Sequence, residues 1–151
     1  MRAKLGLASP MDTDRELIEG VLKLLAQGRV DYTIFWRRLS QHVAGRDAAS
    51  VRDLFLDRPA LDAWMARYTQ RLGHLSRPAV AQRMLRTNPK YVLRNHLAET
   101  AIRKAADQRD YSEIERLMRV LARPYDEQPA MQAYAEPAAP GTVAPAVSCS
   151  S

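Results

Sequence analysis

The residues able to do chemistry in this chain are few and scattered. His42, His74 and His96 stand more than twenty residues apart, and none pairs with the single cysteine, Cys149, at metal-ligand spacing. A phosphate-cradling loop needs closely spaced glycines so that backbone amides can approach the anion. Gly6, Gly20, Gly28, Gly45, Gly73 and Gly141 never lie closer than eight residues, so the sequence carries no such loop. Asp12 and Asp14 form a D-x-D, but no glycine or bidentate glutamate follows in calcium-loop register. They read as acidic charge at a helix N-terminus. His96 lies on the edge of an apolar stripe and reads as a partly buried packing residue. His42 and His74 fall near helix C-termini, where the dipole favours a cation. Arg37-Arg38 could stack or bind phosphate, and a solvated face is the plainer reading. No catalytic, cofactor-binding or metal-ligating residue is assigned, and a self-sufficient nucleotide-dependent enzyme is not expected.

The elements that must position these residues are helices. Thr13, with Glu16 three residues on, predicts a capping box for a first helix. Leu17, Ile18, Val21, Leu22, Leu24 and Leu25 recur at helical spacing, and Gly28 closes the run. Asp31 starts a second helix with Phe35, Trp36, Leu39 and Val43 inward. A short third covers about Ala49 to Leu56. Arg58-Pro59 opens a fourth, whose stripe is Leu61, Trp64, Met65, Tyr68 and Leu72. Pro78 opens a fifth through Val80, Met84 and Leu85. Asn88-Pro89 reads as cap and first position of a sixth, with Leu93, Leu97, Ala101 and Ala105 at intervals of four. Ser112 and Glu115 predict a capping box for a seventh, with Ile114, Leu117, Met118 and Leu121 apolar. No Asn-Gly or Asp-Gly hairpin signal occurs. The expected fold class is all-α: about seven helices in an irregular bundle over residues 1–122. Five of the nine prolines follow residue 123, so residues 123–151 are expected to form an extended, poorly ordered Pro/Ala-rich tail.

Length and charge bound the rest. A chain of 151 residues buries roughly 70% of its unfolded surface, enough for a core. One cysteine excludes a disulfide scaffold, and no apolar run reaches the roughly 18 residues of a membrane span. The formal charge is +6, from 23 basic and 17 acidic side chains. The arginines are interleaved with Asp and Glu, the pattern of solvated helix faces, and no docking element for a nucleic-acid groove is recognisable. Nucleic acid is therefore not an expected partner. The N-terminus lacks the apolar stretch of a secretory signal, which makes the cytoplasm the default compartment.

Three segments are more specific. One is Lys4-Leu5-Gly6-Leu7, followed by an acidic helix start and Asp31-Tyr32-Thr33. The next runs Asn88-Pro89-Lys90-Tyr91-Val92-Leu93-Arg94-Asn95-His96-Leu97-Ala98, then Ala101-Ile102, Asp110-Tyr111-Ser112-Glu113 and Arg123-Pro124-Tyr125-Asp126-Glu127-Gln128-Pro129. The last is Ser148-Cys149-Ser150-Ser151. Together they resemble the C-terminal part of the SelO (YdiU) family, the kinase-like protein adenylyltransferases. His96 departs from it, since a larger aromatic is commoner there. The resemblance covers nearly the whole chain but only about the last third of a member. It implies an enzyme that uses ATP and Mg²⁺ (or Mn²⁺) to move AMP onto Ser, Thr or Tyr of proteins, with the nucleotide held upstream in a kinase-like region. It implies that region as partner, and Cys149 as a redox residue. A thiol reacts as its thiolate, and this chain has no second cysteine to pair with it. From a different class, the chain could instead be a stand-alone helical interaction module whose Arg-rich faces bind an anionic partner.

Overall fold

The computed structural model describes residues 1–46 and 50–138. Six α-helices follow one another: α1 (Asp14–Gln27), α2 (Tyr32–Val43), α3 (Arg58–Leu72), α4 (Arg77–Thr87), α5 (Asn95–Gln108) and α6 (Ser112–Leu121). Short 3-10 helices lie at Arg2–Leu5, Val51–Leu54 and Pro129–Ala135. No strand occurs among the described residues. The all-α expectation holds. The expected third helix is only the 3-10 turn at Val51–Leu54, and Ala49, where it was to begin, lies outside the described residues.

The chain divides into two compact units between Pro89 and Lys90. In the first, α2 packs on α4, α1 packs on α3, and the N-terminal 3-10 turn packs on α4. Leu17, Val21 and Leu25 of α1 repeat every four residues and are buried. Phe35, Trp36, Leu39 and Val43 of α2, with Leu61, Trp64, Tyr68 and Leu72 of α3, complete the stripes expected of them. Leu22 is the exception at 37% exposure, because the buried arc of α1 is narrower than its apolar run. Phe35 sits centrally: its ring meets Trp36, Phe55 and Trp64 edge-on at 5.0, 5.8 and 6.3 Å. Trp64 and Tyr68 stack at 5.2 Å. Their polar ends are satisfied by backbone, Trp64 Nε1 donating to Leu17 O at 2.8 Å and Tyr68 Oη to Leu5 O at 2.9 Å. The Trp36 indole nitrogen is buried with no hydrogen-bond partner among the described residues.

The second unit begins where the Asn88-Pro89 reading fails. Asn88 does not cap a helix start; it ends α4 with extended backbone (φ −105°, ψ 100°). A residue before proline is pushed out of the helical region, and here that stop signal outweighs the start signal. Residues 89–94 are not helical, and α5 begins at Asn95. Its frame buries Ala101 and leaves Ile102 at 64% exposure, while Leu93, which precedes the helix, is 59% exposed. In α6 the inward face is Glu113, Leu117 and Val120, while Met118 is 69% exposed. The α5 and α6 helices pack together. Beyond them Pro129–Ala135 coil as 3-10 turns, kinked at Met131, inside the segment expected to be extended. Gln128 explains its start: the side-chain amide donates to Val120 O at 3.1 Å and Arg123 O at 2.9 Å, so the chain turns back on the end of α6.

Candidate functional site

Of the helix starts expected at Thr13, Asp31, Asn88 and Ser112, only Asp31 makes a side-chain cap bond. Thr13 makes no side-chain cap bond; Asp14 accepts Met11 N at 3.0 Å instead. Ser112 is the first residue of α6, not its cap, and its amide goes to Asp110 Oδ1 at 2.9 Å. Asp31 caps α2 as expected, accepting Ile34 N at 2.9 Å. At the start of α6 the aspartate wins because an ionised carboxylate accepts an amide more strongly than a hydroxyl does.

Buried polar side chains gather in three places. Asn88, fully buried, donates through Nδ2 to Lys4 O and to Ser40 Oγ, both at 2.9 Å, and accepts from Lys4 Nζ at 3.3 Å. Arg37 belongs to this cluster and not to a solvated face. It is buried, and NH1 donates to Leu85 O and Asn88 O at 3.2 Å. Arg37 follows Trp36 on α2, and only the packing of α4 turns that position inward. Arg38 reaches Ser50 O at 3.2 Å. The Lys4 ammonium lies 5.4 Å from the Tyr32 ring centroid and 5.9 Å from that of Trp36. Partial burial lowers its pKa.

The second cluster joins α1 to α3. Asp14 pairs with Arg71 at 2.6 Å, and both side chains are largely shielded. The hydrogen bond from Arg71 holds the Asp14 carboxyl below its ordinary range, against the opposing effect of burial. Arg71 also donates to Ser9 O at 2.7 Å. An adjacent groove of about 410 Å³ presents Thr13, Glu16, Arg67 and Gln70 beside this pair. Glu16 shares this lining with Arg67 and Arg71, and Arg71 is already paired with Asp14, so the groove is not a purely cationic cradle for phosphates.

The third cluster lies in the second unit. Glu113 accepts from Tyr134 Oη at 2.6 Å and from Lys104 Nζ and Arg116 NH1 at 3.2 Å. The Tyr134 hydrogen bond is the largest cause of a lowered Glu113 pKa, and the two cations add to it against burial. Burial and the Glu113 charge push Tyr134 upward. Around it, Lys90 pairs with Glu127 at 2.6 Å, Tyr91 Oη donates to Gln128 O at 3.0 Å, and the amides of Lys90 and Tyr91 both reach Pro124 O.

All three clusters hold segments of chain together. Among the described residues no three His, Cys, Asp or Glu side chains converge as a metal site. His42 ends α2, His74 follows α3 exposed, and His96 is half-buried on α5. Asp12 is exposed while Asp14 is buried, so the D-x-D does not act as one site. Arg94 caps α5 by position and reaches Ala135 O at 3.5 Å, a structural role, and Asn95 is exposed. Cys149 lies outside the described residues. No helix among the described residues is long and apolar enough to cross a membrane.

Comparison with known proteins decides the lineage. The family model for the protein adenylyltransferase SelO matches residues 1–122. The chain belongs to the SelO family. It is 58% identical over 135 residues to a protein nucleotidyltransferase YdiU of Variovorax paradoxus, covering 89% of this chain and 27% of that protein. The YdiU of Thiobacillus denitrificans is 55% identical over 155 residues, with 100% of this chain and 32% of the relative covered. That of Cupriavidus metallidurans is 52% identical over 155 residues, with 99% and 28% covered. The chain therefore spans between about a quarter and a third of the length of these SelO-family relatives.

Proposed function

We propose that this chain is the helical C-terminal portion of a SelO-like protein adenylyltransferase, whose reaction moves AMP from ATP onto Ser, Thr or Tyr hydroxyls of proteins. By itself it does not carry out that transfer. The observation that carries this reading is coverage: identity of 52–58% along nearly the whole chain, yet at most 32% of these relatives' length. The absence of a glycine loop from the sequence supports it. The residues described here do not fit a bound ATP or Mg²⁺ (or Mn²⁺), and no step of the transfer is assigned to them. The partner is a kinase-like region of the SelO type, which would supply the nucleotide site and meet the protein substrate. Exposed Leu93, Ile102, Tyr111 and Met118 in the second unit support a supporting, docking role. The compartment is the cytoplasm. Cys149 is the proposed redox residue; residues 1–151 hold no second cysteine, so its disulfide partner would come from the kinase-like region.

The test is incubation of the purified chain with labelled ATP, Mg²⁺ or Mn²⁺ and a protein acceptor. No label should transfer to the acceptor or to the chain. Self-labelling above background would overturn the reading. Cys149→Ser should leave melting unchanged and abolish any mixed disulfide trapped by a kinase-like partner.

A further inference from the structure

Chain termini usually fray because little holds their backbone. Residues 1–9 are held at four carbonyls by side chains from elsewhere in the first unit. Lys4 O accepts Asn88 Nδ2 at 2.9 Å, and Leu5 O accepts Tyr68 Oη at 2.9 Å. Gly6 O takes two donors of Arg83, at 2.8 and 3.3 Å, and Ser9 O takes Arg71 at 2.7 Å. The donors come from α3, α4 and the residue that ends α4. Leu5 and Leu7 are buried in the same core. Gly6 adopts φ +69°, and a Cβ there would stand 2.6 Å from Val80 Cγ1 and 2.9 Å from Met84 Cγ. The Lys4 ammonium completes the contact over the Tyr32 and Trp36 rings. A four-residue 3-10 turn has little stability of its own, so its shape here is imposed by what it docks on.

We propose that α3, α4 and Asn88 form a peptide-binding groove that reads Lys4–Leu7, and that this docking makes residues 1–9 a rigid joint. The ligand class is a short peptide recognised through consecutive carbonyls, with a cation, two apolar side chains and an obligatory glycine between them. Polypeptide continued upstream would then be carried as one body with the first unit, not swung on a tether. The inference stands apart from AMP transfer, because its test uses neither nucleotide nor acceptor.

Two measurements on the full chain test it. Amide exchange should show Gly6 and Leu7, whose N–H groups donate to Ala3 O and Arg2 O, protected within about tenfold of the Val80 and Met84 amides. A dye on Ala3→Cys in a Cys149→Ser background should tumble with the first unit and show no faster local motion. Arg83→Gln and Asn88→Ala should each lower protection at Gly6 and Leu7 at least tenfold and free the dye. The exposed Arg83 makes the first variant safe for folding, and the Val21 and Leu25 amides of α1 report whether the second unfolds the core. Free exchange or a freely moving dye in the parent chain would overturn the proposal. So would Gly6 and Leu7 amides that Arg83→Gln leaves unchanged, or a loss in that variant shared equally by α1.

Discussion

Single residues carry much of the first unit's stability. Trp64 is 1% exposed and joins α1 to α3 through its indole bond to Leu17 O. Trp64→Ala should cost about 3–5 kcal/mol by urea unfolding. Asn88 shows how a residue's meaning changes with its surroundings. As a helix cap its loss would cost about 1 kcal/mol. Buried between Lys4 and Ser40, its replacement by alanine strands two polar groups, and about 2–4 kcal/mol is expected. Gly6→Ala combines a left-handed backbone with a clash against Val80 and Met84. A drop of about 2–4 kcal/mol in the same measurement is expected. Asn88 and Gly6 are near neighbours of Lys4, so their effects should not add.

At the scale of elements, helix ends and straps are governed by carboxylates. Glu113 ties Pro129–Ala135 to α6 through Tyr134, and Lys104 ties α5 to the same group. Its folded pKa lies below the unfolded value, so its contribution is present above the unfolded pKa of about 4.3. It is lost as pH falls through the lowered folded value. Tyr134 shifts the other way, and its share is lost only as pH rises beyond the ordinary tyrosine range. Melting followed from pH 7 down to pH 3 should therefore show an acid limb in the second unit. Glu113→Gln should flatten that limb while keeping the hydrogen bond from Tyr134. An unchanged limb would place the acid sensitivity in the lowered carboxyls of Asp14 in the first unit or Asp110 in the second.

At the scale of the whole molecule, burial is unevenly shared. Among the described residues the first unit holds an 18-residue apolar core, whereas the second buries the apolar side chains of Tyr91, Ala101, Leu117 and Val120. Units with so little core are marginal unless something else braces them. Amides of α5 and α6 should exchange at least tenfold faster than those of α1 and α3. Equal protection would mean that the ion pairs around Glu113 do more than surface pairs usually do.

Helical periodicity was enough to read the α-class, five of the six α-helices within a few residues, and the inward residues of α2 and α3. Periodicity reports which side of a helix is apolar, and burial fails at the margin wherever that side is wider than the contact, as at Leu22. Short motifs suffice to read the family, since runs such as Lys4-Leu5-Gly6-Leu7 are local in sequence. Three things were decided only by tertiary structure. Asn88 carried a start and a stop signal together, and the buried partners Lys4 and Ser40 selected the stop. Arg37 lies one residue past the apolar stripe, and it turned inward because α4 presents carbonyls there. The capture of Lys4–Ser9 by Asn88, Tyr68, Arg83 and Arg71 joins residues 62 to 84 positions apart. A one-dimensional pattern records which residues are apolar and how often they recur. It holds no record of which distant carbonyl a side chain will meet, because that depends on how the helices cross.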